Sequence, residues 1–190
     1  MSSDPLAFFR ALPDLEVDHV KGNISLEDKK LNCKVMKYFV GTGNHFGVAI
    51  GNRLRATDIN VYKGAGGALE AQMVLEIDVT EDMCNVYGTM HGACAALLID
   101  LGASGPLVAV GIATGTNTTG MSQTMDLIFH NAPRLGSKLR IVNTSVTVGG
   151  RLKTGRSEIW DKSGERLYVS GTHSKVNIPP QGKSKKPSKL

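Results

Sequence analysis

The chain has 190 residues, 41% of them apolar and 21% charged, which suits one globular domain and excludes a fibrous or wholly disordered polypeptide. Its formal net charge is +5, but Lys183, Lys185, Lys186 and Lys189 crowd the last residues and leave the remainder nearly neutral, so no basic surface for nucleic acid is expected. Cys33, Cys84 and Cys94 are odd in number and form no CxxC pair, which argues against a secreted disulfide scaffold and for a reducing compartment.

The opening MSSDPLAFFRALPDLEVDH has acidic residues early and no long apolar run after a basic start, so it does not read as a signal peptide. Ser25, with Asp28 three places on, resembles a capping box and predicts a helix to Val40 that sets Leu31, Val35, Met36 and Phe39 on one face. Residues 1–50 are therefore expected to form a helical extension that covers the core, with no chemistry of their own. From Leu54 the period changes to two. Ile59 and Val61, then Met73, Leu75, Ile77 and Val79, alternate with polar residues, and Gly64-Ala-Gly-Gly67 between them predicts a hairpin.

Gly92 to Ala113 is long enough to cross a bilayer, and Asp100 is its only charge. An aspartate at the centre of a spanning helix costs roughly 2.5–3.5 kcal/mol. Gly102, Gly105 and Pro106 are also expected to interrupt the helical pattern. The stretch predicts a buried core helix from about His91 to about Val110 and no membrane span. Four strand-like runs follow, Met121–Phe129, Leu139–Val148, Thr154–Trp160 and Leu167–Val176, divided by Pro133-Arg-Leu-Gly136, Gly149-Gly150 and Asp161-Lys-Ser-Gly164. Two strands, one long apolar helix and four strands imply an α+β fold in which an antiparallel sheet curls around a central helix. Residues 51–178 are assigned to that domain and 179–190 to a basic tail. No internal repeat or metal-finger spacing appears.

The segment with the chemistry is Asn85-Val-Tyr-Gly-Thr-Met-His-Gly-Ala-Cys-Ala-Ala-Leu-Leu-Ile-Asp100, followed by Gly120-Met-Ser-Gln-Thr-Met-Asp-Leu-Ile-Phe129 and Pro133-Arg-Leu-Gly136. Over about Arg55 to Val176 it resembles the hotdog-fold acyl-CoA thioesterases of the phenylacetate-degradation type and their mammalian relatives. In that family the loop asparagine, a His-Gly-Gly helix start and the helix aspartate recur in this arrangement. Ala93 stands where the family has its second glycine, and its methyl is expected to narrow the room beside the substrate.

Thioester hydrolysis needs donors for a developing oxyanion and a base or nucleophile for the attack. Gly92, in the first helical turn, has an N–H without an intrahelical partner, at the positive end of the helix dipole. Asn85 is the second candidate donor, with a loop cap as its other reading. Asp100 is an ionisable group in an apolar helix, where an unpaired charge is costly; the resemblance makes it the base or nucleophile, with a buried, hydrogen-bonded structural carboxylate as its other reading. The resemblance gives Ser122 the task of orienting the attacking water. His91 is read as bracing the helix start and as a substrate contact, and Cys94 as a small buried residue. Eight residues separate Gly92 from Asp100, about 12 Å of helix, so one scissile carbonyl cannot touch both. The amide of one chain must meet the carboxylate of another across antiparallel central helices, giving a homodimer or a dimer of dimers.

For the coenzyme A part of an acyl-CoA substrate the resemblance implies Phe129, His130, Asn131, Pro133 and Arg134, then Gly149, Gly150 and Arg151, with Lys175 nearby. Arg134 and Arg151 suit phosphate oxygens. No separate cofactor is implied. A hotdog hydratase or dehydratase is the alternative enzyme, but it would put an Asp/His pair at the helix start, where this chain has Gly-Thr-Met-His-Gly. A non-catalytic acyl-CoA binding protein is the alternative outside catalysis. The chain ends Ser188-Lys189-Leu190, which reads as a peroxisomal address recognised by an import receptor.

Overall fold

The computed structural model describes residues 4–177; Ser188, Lys189 and Leu190, and with them the expected address, lie outside the described residues. Three helices come first: α1 (Ala7–Arg10), α2 (Leu26–Val40) and α3 (Val48–Gly51). A hairpin of β1 (Arg55–Lys63) and β2 (Leu69–Asp78) leads to the long α4 (Gly92–Thr114). Four strands complete the chain: β3 (Met121–Phe129), β4 (Lys138–Val148), β5 (Leu152–Asp161) and β6 (Leu167–Val176). All six strands form one antiparallel sheet in the order β1-β2-β4-β5-β6-β3, so β3 leaves the meander to become an edge beside β6.

Odd-numbered positions of the inner strands face α4. Ala71, Met73, Leu75 and Ile77 of β2, Leu139, Ile141, Asn143 and Ser145 of β4, and Ile159 of β5 are all buried. The period-two pattern therefore specifies which face of each strand meets the helix. α4 is apolar around most of its circumference because it is covered twice. The sheet takes one side, and Leu31 and Val35 of α2 pack with Val108 and Ile112 on another. Its length and composition alone would allow it to cross a membrane, yet it lies against this sheet.

The interruption expected at Gly102, Gly105 and Pro106 does not occur; the helix runs through them, four residues past the expected end, to a left-handed cap at Gly115. Pro106 removes one intrahelical bond, at about 3 kcal/mol. Fully burying Leu98, Ile99 and Leu107, each at most 1% exposed, contributes roughly 1.5–3 kcal/mol apiece, which outweighs that cost. The glycines have a packing role: a Cβ on Gly102 would lie 2.3 Å from Asn143 Oδ1, and one on Gly105 would lie 2.3 Å from Met73 Sδ. They let the helix approach β2 and β4 closely.

α2 starts as the sequence implies, with Ser25 Oγ accepting from the Asp28 N–H at 3.1 Å. The reciprocal half of the box is altered. Asp28 is one methylene shorter than glutamate, and its carboxylate accepts from the Ser25 hydroxyl instead. Leu31 and Val35 are buried, but Phe39, assigned to the same covered face, is 57% exposed. It stacks edge-on with Tyr38 and is near Phe9 at the far end of the helix.

Candidate active site

The loop before α4 is a compact turn. Asn85 N–H donates to the Thr89 carbonyl and Gly88 N–H to the Asn85 carbonyl, with Gly88 at φ 70°. The Asn85 side-chain oxygen accepts from Tyr87 N–H at 2.9 Å and from the Thr89 hydroxyl at 3.2 Å, so its loop-cap reading holds for that atom. Its amide nitrogen has no acceptor among the described residues and remains available as a donor. The turn is fastened to the Pro133 segment by Met90 N–H donating to the Pro133 carbonyl at 2.8 Å.

His91 is the N-cap of α4. Its Nδ1 accepts from the Ala93 N–H at 3.0 Å, while Cys94 N–H and Ala95 N–H both turn back to the His91 carbonyl. That leaves the Gly92 N–H with no acceptor among the described residues, at the positive end of a 23-residue helix. Asn85, Gly92, Phe129, His130, Asn131 and Pro133 line one cavity of about 220 Å³. His130 Nε2 pairs with Ser170 Oγ at 2.9 Å and Asn131 Nδ2 donates to the Leu167 carbonyl, which ties this strip to β6. Arg134 is exposed just beyond it.

The expectation that Ala93 narrows the room beside Gly92 is corrected by the helix geometry. Ala93 and His91 line a different cavity, with Phe46, Cys84 and Leu97, because successive helical positions diverge by about 100°. His91 accordingly acts on the helix start and does not line the Gly92 cavity. Cys94 is buried, and its thiol is pushed up to about 11 by burial, so it is not a nucleophile at neutral pH.

Asp100 and Ser122 belong to another cavity, of about 460 Å³, which also contains Ser104 and Lys175. Ser122 Oγ donates to Asp100 Oδ1 at 3.3 Å. Register explains the cluster: Ser122 of β3 pairs with Lys175 of β6, and Lys175 Nζ donates to Ser104 Oγ at 2.9 Å, one turn of α4 beyond Asp100. Burial draws the Lys175 ammonium below the usual lysine range, against the opposite pull of the Asp100 carboxylate.

A further member of this cluster, His173, was not singled out by sequence reasoning. Fully buried on β6, it directs Nδ1 to Asp100 Oδ1 at 3.2 Å and to the Asp100 carbonyl at 3.3 Å. Both are acceptors, so the ring proton sits on Nδ1. Burial holds the imidazole below its ordinary pKa, with Lys175 adding to the effect and Asp100 opposing it. The contact is thus a hydrogen bond from a neutral ring, and Nε2 is buried without a partner among the described residues. The signal was present in the pattern. His173 and Lys175 share the parity of buried Val169, and a polar residue on the core face of a strand needs a partner.

The residues expected to hold one ligand are therefore divided. Asn85, Gly92 and Phe129 to Arg134 lie at one end of β3, whereas Asp100, Ser122 and Lys175 lie at the other. Gly149 and Gly150 line a further cavity, of about 690 Å³, with buried Lys153 and exposed Asn177, and Arg151 is exposed beside it. Leu152 and Met121 both pair with Val176, which aligns this turn with the Ser122 end of the sheet.

No protein-family model and no curated protein matches the sequence. Among solved structures, zebrafish thioesterase superfamily member 2 aligns at 21% identity and a TM-score of 0.60, over 82% of this chain and 100% of that one. The mouse thioesterase superfamily member 2 aligns at 21% identity and a TM-score of 0.57, over 80% and 98%. YhdA of Lactococcus lactis aligns at 16% identity and 0.55, over 67% and 96%. At these identities the likeness is one of architecture, and with the sheet and helix described above it shows that the chain has the hotdog fold of these thioesterases.

Proposed function

We propose that the chain is an acyl-CoA thioesterase, active as a homodimer or a dimer of dimers, that hydrolyses fatty acyl-CoA or a related acyl-CoA to the free acid and coenzyme A. One observation carries the reading: free oxyanion donors and a hydrogen-bonded carboxylate occupy separate cavities of the same chain. Phe129 and Ser122 stand seven residues apart on β3, about 23 Å at the rise of an extended strand. β3 is an open edge, and Met121, Met125, Ile128 and Phe129 on it are all at least 40% exposed. An apolar edge of this kind is a template for pairing with a second chain. Antiparallel pairing of two β3 edges about a two-fold axis brings the Phe129 end of one protomer to the Ser122 end of the other, and so joins the donors to the carboxylate.

In the joined site the Gly92 N–H and the Asn85 amide polarise the thioester carbonyl, while the partner's Asp100 and Ser122 hold a water against its carbon. Both side-chain bonds to Asp100 fall on Oδ1, which leaves Oδ2 to take the proton. Water oxygen bonds to the acyl carbon, the electron pair of the carbonyl moves to its oxygen, and the two donors stabilise that charge. Collapse of the intermediate breaks the carbon–sulfur bond, and coenzyme A leaves as the thiol with the proton that Asp100 held. Arg134, from one end, and Gly149, Gly150 and Arg151, from the other, suit the phosphates and pantetheine arm. Purified protein given a panel of acyl-CoA substrates is expected to release free thiol. Absence of thiol release from every chain length, by a folded dimer, overturns the proposal.

A further inference from the structure

The cavity that holds Asp100 and Ser122 has two unlike walls. Its polar groups come from β3, from β6, from Thr118 and Thr119 in the connection before β3, and from one face of α4. The facing wall is α2, and the four side chains it contributes, Val35, Met36, Phe39 and Val40, are all apolar. Leu101 and Val108 of α4 continue that lining. The charged residue of the same turn of α2, Lys37, is directed elsewhere and pairs with Asn52.

We infer that α2 builds the acyl-chain site, and that Met36, Phe39 and Val40 set which acyl chains are accepted: straight aliphatic chains of medium to long length over acetyl or polar acyl groups. This rests on the thioesterase reading and goes beyond it. A thioester has two arms, and the coenzyme A arm carries two amides, a hydroxyl and anionic phosphates that need hydrogen-bond partners, which an apolar wall cannot supply. Only the acyl arm matches that wall, and it begins at the carbonyl carbon that Asp100 and Ser122 serve. At roughly 30 Å³ per methylene, close to a water molecule's share of liquid volume, the 460 Å³ cavity holds a chain on the order of ten carbons beside the reacting group. Phe39, 57% exposed at the rim, is well placed to close over the chain. The N-terminal helices are then part of the substrate site and not only a cover for the core.

Binding of non-hydrolysable S-alkyl-CoA thioethers separates this inference from hydrolysis. Burial of one methylene tightens binding about fourfold, so burying even half of the eight methylenes between ethyl and decyl favours S-decyl-CoA by a hundredfold or more. Calorimetric titration of the full chain should show that ratio. Val40→Phe, which fills the cavity, should reduce it at least tenfold. Phe39→Ala, at an exposed position that tolerates truncation, should reduce it by a smaller factor and keeps the test valid if Val40→Phe fails to fold. A wild-type ratio near one, or a ratio unchanged in the folded variants, overturns the inference. If the ratio behaves as stated while no acyl-CoA is hydrolysed, the acyl-chain site stands and the hydrolase reading falls. If short and long acyl-CoA are hydrolysed alike and the thioether ratio is one, the reverse holds.

Discussion

Asp100→Asn is the most informative single substitution. Asparagine keeps the shape of aspartate, and its Oδ1 can still accept from Ser122 Oγ and His173 Nδ1, which lie at 3.3 and 3.2 Å. What it loses is the charge and the capacity to take a proton. The structural cost is the weakening of two hydrogen bonds from charge-assisted to neutral, about 1 kcal/mol in total. For a domain of this size that lowers Tm by roughly 2–4 °C. The catalytic cost is that of a general base, on the order of 10²–10⁴-fold in kcat. Initial rates of thiol release from a medium-chain acyl-CoA, with Tm and oligomeric mass measured on the same preparation, separate the two costs. A variant that retains kcat within threefold of wild type refutes the role given to Asp100. A variant that loses activity only because it melts or dissociates refutes the claim that the carboxylate serves the reaction and not the fold.

Ser122→Ala should lower kcat by a smaller factor, about tenfold, since it orients the water without taking its proton; a loss larger than that of Asp100→Asn would reverse the two roles. His173 binds fewer protons when folded than when unfolded between its lowered pKa and the ordinary value near 6.5, so stability rises with pH across that window and is lost on acidification. Thermal melts from pH 7 to pH 5 should therefore fall more steeply for wild type than for His173→Gln, by up to about 1.4 kcal/mol per pH unit; equal slopes would contradict the neutral buried imidazole. With Leu190 as the free C-terminus, its deletion should leave thiol release unchanged and move an N-terminally tagged chain from peroxisomes to cytosol; a full-length tagged chain that stays cytosolic beside an imported marker would remove the address.

The sheet was legible because β-branched and aliphatic residues alternate with period two and turn residues separate them. Met121–Phe129 and Leu167–Val176 agree with the structure at both ends, Leu139–Val148 and Thr154–Trp160 fall within two residues of β4 and β5, and β2 begins four residues before Met73. The central helix was legible in kind and nearly in extent, from about His91 to about Val110 against Gly92–Thr114. Gly102, Gly105 and Pro106 read as breakers by local propensity, whereas tertiary packing against Asn143 and Met73 makes the glycines necessary and the proline tolerable. Asn85, Gly92 and Asp100 were visible as a spaced motif and Ser122 only through the resemblance, while the helix rise sets Gly92 and Asp100 about 12 Å apart, too far for one carbonyl to touch both. The parity of β6 marks His173 as a polar residue on the core face but not its partner, because Asp100 lies 73 residues away. The α2 wall was hidden for a related reason: an amphipathic stripe announces that it is covered, not what it covers.

The central claim is that each site is built from two chains, and complementation tests it most directly. Asp100→Asn removes one half of each site, and Gly92→Pro removes the other by deleting the N–H. The structure predicts that Gly92→Pro folds: proline is favoured at the first helical position, His91 before it is already extended at φ −65°, ψ 138°, and a Cβ at Gly92 meets only Phe129 at an ordinary 3.5 Å. Each variant alone should be nearly inactive. Refolded together at equal amounts, half the dimers are hybrids, and each hybrid has one intact and one doubly damaged site, so activity should return to about a quarter of wild type. Hybrid dimers detected by native mass spectrometry without any recovery of thiol release would contradict the shared site.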